Sequence, residues 1–593
     1  GPGDSSPRWS PDGTRLAFLR KGPGDKDVPQ AAVMPASGGE AATVTEFDLG
    51  VREVSWSPDG STLAAVGVTW IDGWSGLDEE ERARMPRRIT RAGWREDELG
   101  WLHDRRSHIF LVDPAGRQGA RQLTAGDFDE AGPRWHPGGG EIAFISARHE
   151  TRGLDEGAQP WRIPIEGGAP EPGADVGLWW QVTYRPDGTL HLVGLRDRWG
   201  YPDNVAVWRV EPDGSLSNLT GHLDRNVVPL LPPSAPFGPQ WVGDRFLTVV
   251  EDRGRLGLIE VSPDGAVEQV VGGDRAITGM SPRADGSAVA FVATTPSDPG
   301  ELWWWENGTT RPLTSLNAEF RQTVPLVDPR PFTVERDGVE IDGWVYLPEG
   351  EDRVPLLLTI HGGPATQYGF GFFDEFQVYA GAGYGVVAAN PRGSSGYGRS
   401  FMQAVVERWI EDRPPDLEDL VAVVDAALAR FPRLDPDRLG IMGGSYGGFM
   451  AARILGEEHR FRSAIVERGL YSFTSFAGTS DIGFRFDRMY LGASPSTDWE
   501  ALWQASPLSR AHQIATPTLV LHSESDFRCP VEQAEQLFGI LLRQGVATEL
   551  VRFPEEGHEL SRSGKPRHRK ERFEIILDWH RRYLAEPTGE LRS

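Results

Sequence analysis

The chain has 593 residues, 39% hydrophobic and 25% charged, with a formal net charge of −25 at pH 7. That length is more than one hydrophobic core can hold, so two or more domains are expected, and the acidic surface argues against nucleic acid as a partner. No apolar run is long enough to span a bilayer, and a single cysteine, Cys529, can form neither an intramolecular disulfide nor a zinc site. One thiol fits a reducing compartment, so the expected location is cytoplasmic, with no membrane partner and no cofactor. The chain opens Gly1-Pro2-Gly3-Asp4 without a methionine, so this expectation rests on the thiol and not on the terminus.

The first half repeats itself. Trp9-Ser10-Pro11-Asp12-Gly13 precedes an apolar run at residues 16–19, Trp56-Ser57-Pro58-Asp59-Gly60 one at 63–66, Trp135-His136-Pro137-Gly138-Gly139 one at 142–145, and Tyr184-Arg185-Pro186-Asp187-Gly188 one at 190–193. Weaker copies start at Trp241-Val242-Gly243-Asp244 and at residues 281–286. Each unit reads as strand, tight turn, strand: proline sets φ, and Asp-Gly supplies the left-handed position of the turn. Second hairpins lie between units, at residues 32–39 and around 109–113. Four short strands in roughly 40–50 residues are the mark of a β-propeller blade, and six such units can be counted. Residues 70–101 interrupt the spacing and read as an insertion. In this reading the turn aspartates cap turns and do not catalyse. The 21 tryptophans, Trp303-Trp304-Trp305 included, serve blade packing.

The pattern changes near Pro329. Phe332-Thr333-Val334-Glu335 and residues 341–347 form a hairpin around Asp337-Gly338. Leu356-Leu357-Leu358-Thr359-Ile360 and Gly385-Val386-Val387-Ala388-Ala389 are continuous apolar runs, as buried parallel strands require. Residues 417–428 and 573–579 have helical periodicity. Alternating strands and helices predict a parallel sheet covered on both faces. The expected organisation is a β-propeller over residues 1–328 followed by an α/β-hydrolase domain over residues 329–593.

Within that second half, Leu439-Gly440-Ile441-Met442 runs into Gly443-Gly444-Ser445-Tyr446-Gly447-Gly448, and a helical segment follows. This is a G-x-S-x-G nucleophile elbow in its strand–turn–helix context. A serine hydroxyl needs a base held by a third group, and the expected order is Ser, acid, His. The strand at residues 516–522 ends in Ser523-Glu524-Ser525-Asp526, and the strand at 549–553 ends in Pro554-Glu555-Glu556-Gly557-His558. Ser445, Asp526 and His558 are therefore the expected triad, with Glu524 the alternative acid and His522 a support for the loop. An oxyanion hole needs two donors. These are assigned to the backbone N–H of Tyr446 and, from the glycine loop after residues 356–360, that of Gly363.

Several motifs together resemble the prolyl oligopeptidase family of serine peptidases: His361-Gly362-Gly363-Pro364, Asn390-Pro391-Arg392-Gly393-Ser394-Ser395-Gly396-Tyr397-Gly398, the elbow, and His522-Ser523-Glu524-Ser525-Asp526-Phe527-Arg528-Cys529-Pro530. Gly478-Thr479-Ser480-Asp481-Ile482-Gly483 and residues 558–564 are similar to the acylaminoacyl-peptidase branch. The resemblance implies a propeller, usually of seven blades, facing the hydrolase across a cavity that admits short peptides. It further implies that Arg528 helps bind substrate and that Phe484 and Phe486 wall the pocket for the residue before the cleaved bond.

The basic run at residues 562–570 begins just after His558. It reads either as a solvated face or as an anchor in which Arg562, with Arg528 as rival, holds a substrate C-terminus. The second option would make a carboxypeptidase. A carboxylesterase and a non-catalytic propeller binding protein are the remaining readings. The propeller counts against the first of these and the intact triad against the second. The sequence sets no oligomeric state, and a homo-oligomer is compatible with it.

Overall fold

The computed structural model describes residues 3–24, 27–228 and 237–585. Among these, the first half contains six four-stranded antiparallel sheets. They begin at Asp4–Trp9, Val51–Trp56, Glu130–Trp135, Leu178–Tyr184, Gln240–Val242 and Ala276–Pro282. The fifth and sixth touch through a single parallel pair, Leu256 with Ala276. Six is the number of repeats counted in the sequence, and no seventh four-stranded sheet occurs among the described residues. The apolar run of each repeat forms the second strand of its sheet, and apolar clusters fill the space between successive sheets.

The turn of each repeat joins the first strand of its sheet to the second, and Pro212-Asp213-Gly214 and Pro263-Asp264-Gly265 join third strands to fourth. In the first sheet Asp12 Oδ1 accepts from Ser10 Oγ at 2.6 Å and from the Thr14 N–H at 3.0 Å. Asp59 repeats this with Ser57 and Ser61. These hydrogen bonds, the serine hydroxyl's first, hold both carboxyls at about 2. The aromatic residue before the turn reaches back one sheet. Trp56 Nε1 donates to the Arg8 carbonyl at 2.9 Å, Trp135 Nε1 to the Ser55 carbonyl at 3.1 Å, and Trp241 Nε1 to Thr183 Oγ1 at 3.1 Å. A buried indole needs such an acceptor, so the repeated tryptophan both fills and stitches the gap between neighbours.

The second half is built on one eight-stranded sheet: β1 (Arg330–Arg336), β2 (Val339–Tyr346), β3 (Val354–Ile360), β4 (Gly385–Ala389), β5 (Leu434–Gly444), β6 (Ser463–Glu467), β7 (Thr518–Ser523) and β8 (Thr548–Phe553). The spatial order is β1-β2-β4-β3-β5-β6-β7-β8, and all pairs from β4 to β8 are parallel. Alternate residues of each strand enter opposite layers. Leu356, Leu358 and Ile360 of β3 pack in one cluster and Leu357 in the other; Ile441 and Met442 of β5 divide the same way. That period of two is why these strands are apolar throughout. Register brings the carboxyl ends level, with Ile360 beside Gly443, Gly444 beside Glu467 and Ser523 beside Phe553.

The two halves meet backbone to backbone. The turn between the second and third strands of the fifth sheet contains Gly254 (φ +78°), whose carbonyl accepts from the Phe370 N–H at 2.7 Å and whose N–H donates to Gln367 Oε1 at 2.7 Å. Beside it Arg253 pairs bidentately with Asp342 of β2, at 2.8 and 2.7 Å. A Cβ on Gly369 would lie 2.0 Å from the Gly254 carbonyl oxygen, and the atoms it meets are backbone. Gly369→Ala must therefore push the turn off the sheet. Overpacking of this kind costs about 1–3 kcal/mol, and thermal unfolding of the variant is expected several degrees below the wild type.

Candidate active site

Sterics at the end of β5 place the nucleophile candidate. Ser445 has φ 62° and ψ −125°, a conformation a non-glycine residue holds only when its surroundings enforce it. A Cβ on Gly443 would meet the Gly447 backbone at 2.5 Å, and one on Gly447 would meet the Ile360 carbonyl oxygen at 2.2 Å. The Ser445 N–H donates to the Glu467 carbonyl at 3.0 Å. The helix Tyr446–Leu455 starts immediately afterwards, so the Tyr446 N–H belongs to a first turn whose amides have no partner within the helix.

Below the elbow, Glu467 and Arg572 form a buried bidentate pair at 2.7 and 2.6 Å, and Arg468 adds a contact to the same carboxylate at 3.0 Å. Burial alone would raise the Glu467 carboxyl, but Arg572 and then Arg468 outweigh it and hold it at about 2.

The acid and base loops end β7 and β8. Asp526 is 2% exposed, its Oδ2 lies 2.8 Å from His558 Nδ1, and its Oδ1 accepts from the Cys529 N–H at 2.7 Å. A carboxylate only accepts, so Nδ1 of His558 donates in this bond. Glu524 is turned away to Arg552, at 3.1 Å. His522 Nε2 lies 2.6 Å from the Cys529 carbonyl, and burial lowers its pKa. It therefore braces the loop as a neutral ring.

Ser445, His558, Gly363 and Tyr446 line one cavity of about 920 Å³. Gly363 has φ +119°, and a Cβ on Gly362 would sit 3.6 Å from the Ser445 Cβ, so the glycine loop passes directly over the serine. His361, before it, is brought down to about 4 by burial and bridges Gly362 and Ser394.

Arg528, Arg562 and Phe486 also line the cavity. Phe484 does not. It is 52% exposed and does not wall the pocket, contrary to what the family resemblance implies. Both phenylalanines lie on the helix Gly483–Leu491, where residues two apart point to different faces. Phe486 joins Trp409, Phe473, Phe476 and Tyr490 in an aromatic pocket, with Trp409 and Tyr490 stacked at 5.1 Å and 14°. Trp409 Nε1 and the Tyr446 hydroxyl both donate to the buried Asp416, at 2.9 and 2.7 Å. Burial raises that carboxyl to about 6.

Both candidate anchor arginines already have carboxylate partners. Arg528 holds Asp481 at 2.8 and 3.2 Å, and Arg562 holds both oxygens of Glu559.

Four further residues had no signal in the sequence motifs. Trp180 of a propeller strand and Glu156 and Tyr201 of propeller loops reach the cavity wall. Asp97, from the insertion at residues 70–101, accepts from the backbone N–H groups of Phe527 and His558. The insertion was visible as broken spacing; its destination was not.

This geometry has relatives. The chain is 35% identical over 603 residues to an uncharacterised peptidase, YuxL, of Bacillus subtilis strain 168, across 98% of this chain and 90% of that one. The model of the prolyl oligopeptidase family matches residues 370–587. This chain belongs to that family of serine peptidases. Among solved structures, an acylaminoacyl peptidase of Pyrococcus horikoshii superposes with a TM-score of 0.87 at 25% identity, over 99% of this chain and 90% of that one. A puromycin-hydrolysing peptidase of Mycobacterium tuberculosis shares the fold, with a TM-score of 0.71 at 22% identity over 97% of this chain and 85% of that one. This family member therefore has the propeller-plus-hydrolase architecture read from its sequence. Among the described residues no helix is long and apolar enough to cross a membrane.

The Glu467 pair makes a pH prediction. A carboxyl lowered from 4.5 to about 2 on folding adds stability above its unfolded value and loses it as pH falls through the folded one. The window is therefore about pH 4.5 down to about 2, and the contribution is on the order of 3 kcal/mol. Between pH 5 and pH 2 the melting temperature of Glu467→Gln should fall less steeply than that of the wild type. The variant should also start lower, because Arg572 loses its buried partner.

Proposed function

We propose that this peptidase cleaves short peptides by acyl transfer through a Ser445–His558–Asp526 triad, in the acylaminoacyl-peptidase or oligopeptidase mode. The observation that carries this reading is the 2.8 Å Asp526–His558 bond, set in the wall of the cavity that Ser445 faces from its strained elbow. Ser445 Oγ attacks the substrate carbonyl carbon and its proton passes to His558 Nε2. The resulting imidazolium is stabilised by Asp526. The carbonyl oxygen becomes an oxyanion held by the N–H groups of Tyr446 and Gly363, each worth about 10²–10³ in rate. Collapse expels the amine, which takes the proton from His558. Water, activated by the same imidazole, then hydrolyses the acyl-enzyme.

Substrate class follows from the walls. The aromatic pocket of Trp409, Phe473, Phe486 and Tyr490 suits an apolar residue before the cleaved bond. Propeller residues on the opposite wall support restriction to short, unfolded chains. The carboxylesterase reading has no use for that wall. A cytoplasmic location, read from the single thiol, is proposed with this function.

The test is one defined peptide presented free, N-acylated and C-amidated, with products read by mass. Cleavage should be blocked by a fluorophosphonate that labels Ser445, and Ser445→Ala should lose about 10⁴–10⁶ in kcat while staying folded. Turnover of a simple p-nitrophenyl ester without peptide turnover would favour the esterase.

The carboxypeptidase reading is the second one, supported by Arg562 and Arg528 on the cavity wall. It is weakened by the carboxylates they already hold, which a substrate C-terminus would have to displace. Arg562→Ala should therefore change KM equally, and by less than about threefold, for free and amidated peptides. A rise confined to free C-termini, worth about 1.5–3 kcal/mol, would establish the anchor.

A further inference from the structure

The hairpin of Arg95–Glu96 and Gly100–Trp101 projects from the second propeller sheet, and Asp97 stands at its tip. Asp97 is 7% exposed. Its Oδ1 accepts from the Phe527 N–H at 2.8 Å and its Oδ2 from the His558 N–H at 3.0 Å. Phe527 follows the candidate acid, and His558 is the candidate base. One carboxylate thus ties together, through their backbones, the two loops that carry the 2.8 Å Asp526–His558 bond. The Asp97 N–H in turn donates to Asp481 Oδ2 at 2.9 Å, and Asp481 holds Arg528 and takes the Phe527 carbonyl on its own N–H at 2.9 Å.

The rest of the hairpin is built to seat this residue. Arg95 lies over the Phe527 ring at 4.7 Å and donates to the Thr479 carbonyl, while Trp101 meets the same ring edge-on at 6.3 Å. Room for the carboxylate comes from Gly557, where a Cβ would come within 2.7 Å of Glu98 and 3.4 Å of Asp97. Burial, and then the nearby Asp526 charge, raise the Asp97 carboxyl, against the N–H bonds of Phe527 and His558 and the nearby His558 ring. Packing alone would have put an apolar side chain at this tip.

We propose that Asp97 is a positioning residue through which the propeller holds the acid and base loops at triad distance, so that the base is aligned only while the hairpin is seated. Asp97 touches no reacting atom. It acts through the backbone of Phe527 and His558, and the inference rests on the triad assignment above. A displacement of about 1 Å at a catalytic group can cost on the order of 10²-fold in rate, and that is the scale expected here.

The experiment uses the full chain with Asp97→Asn, which keeps the shape and one acceptor but turns an amide NH₂ toward one of the two N–H groups, and with Asp97→Ala. Leu99→Ala, at the exposed side of the same tip, is the control. Measured are kcat and KM on a short peptide, the rate of fluorophosphonate labelling at Ser445, and the melting temperature. In Asp97→Asn, kcat and labelling rate should fall together by about 10²-fold, with KM within about threefold of wild type and the protein folded. Asp97→Ala should be worse in the same two quantities, and Leu99→Ala should match wild type. Wild-type kcat and labelling rate in folded Asp97→Asn would overturn the proposal, whether or not its melting temperature drops. A rise in KM with unchanged kcat would also overturn it, and would make Asp97 a substrate contact. Failure of wild-type protein to label at Ser445 would instead defeat the triad assignment, a result separable from any of these.

Discussion

At Gly447 the helix after Ser445 runs so close to β3 that a single added carbon would lie 2.2 Å from the Ile360 carbonyl oxygen. That contact fixes how sharply the chain can turn after β5, and the turn fixes where Ser445 points. The level carboxyl ends of β3, β5, β6, β7 and β8 do the rest. With no side chain at 443 or 447, one backbone route is open, and it sets a serine under the glycine loop of residues 362–363 and in the cavity that His558 faces. The strain at Ser445, with φ 62°, is tolerated because Glu467 takes its N–H, and Glu467 is itself pinned by two arginines. The geometry proposed for catalysis is inherited from buried packing beneath the elbow.

Much of this could be read from the chain, for reasons that differ by element. The elbow was legible because its glycines are obligatory and adjacent in sequence. β3 and β4 were legible because a strand buried on both faces has no polar positions to confuse it. The propeller repeats were legible as turns, and the tryptophans that open four of them as packing. That Trp56 bonds the Arg8 carbonyl one sheet back could not be seen, because the acceptor is a backbone atom and leaves no mark on residue type. Phe484 was misjudged because the family pattern gives a neighbourhood and not a helix phase. The partners of Arg528 and Arg562 were hidden for a similar reason: Asp481 and Glu559 look, in sequence, like ordinary surface acids.

Asp97 is the sharper case. It sits some 430 residues from Phe527 along the chain, a separation the hydrogen bond itself records. No local pattern can announce a carboxylate whose partners are two backbone amides in another domain. The only trace was negative, a break in blade spacing. An insertion that survives in a repeat protein has left the repeat's own logic, and the place to look for its reason is the surface it reaches.

Cys529 gives that geometry a natural observer. It lies inside the acid loop, 4% exposed, its N–H on Asp526 and its carbonyl on His522. Burial, and then the Asp526 charge, keep the thiol protonated and so unreactive while the loop is in place. Since it is the chain's single cysteine, alkylation in solution has one target, and its rate reports how closely the loop of Asp526 covers that thiol. The enzyme carries its own probe of that loop, readable by mass and requiring no introduced label.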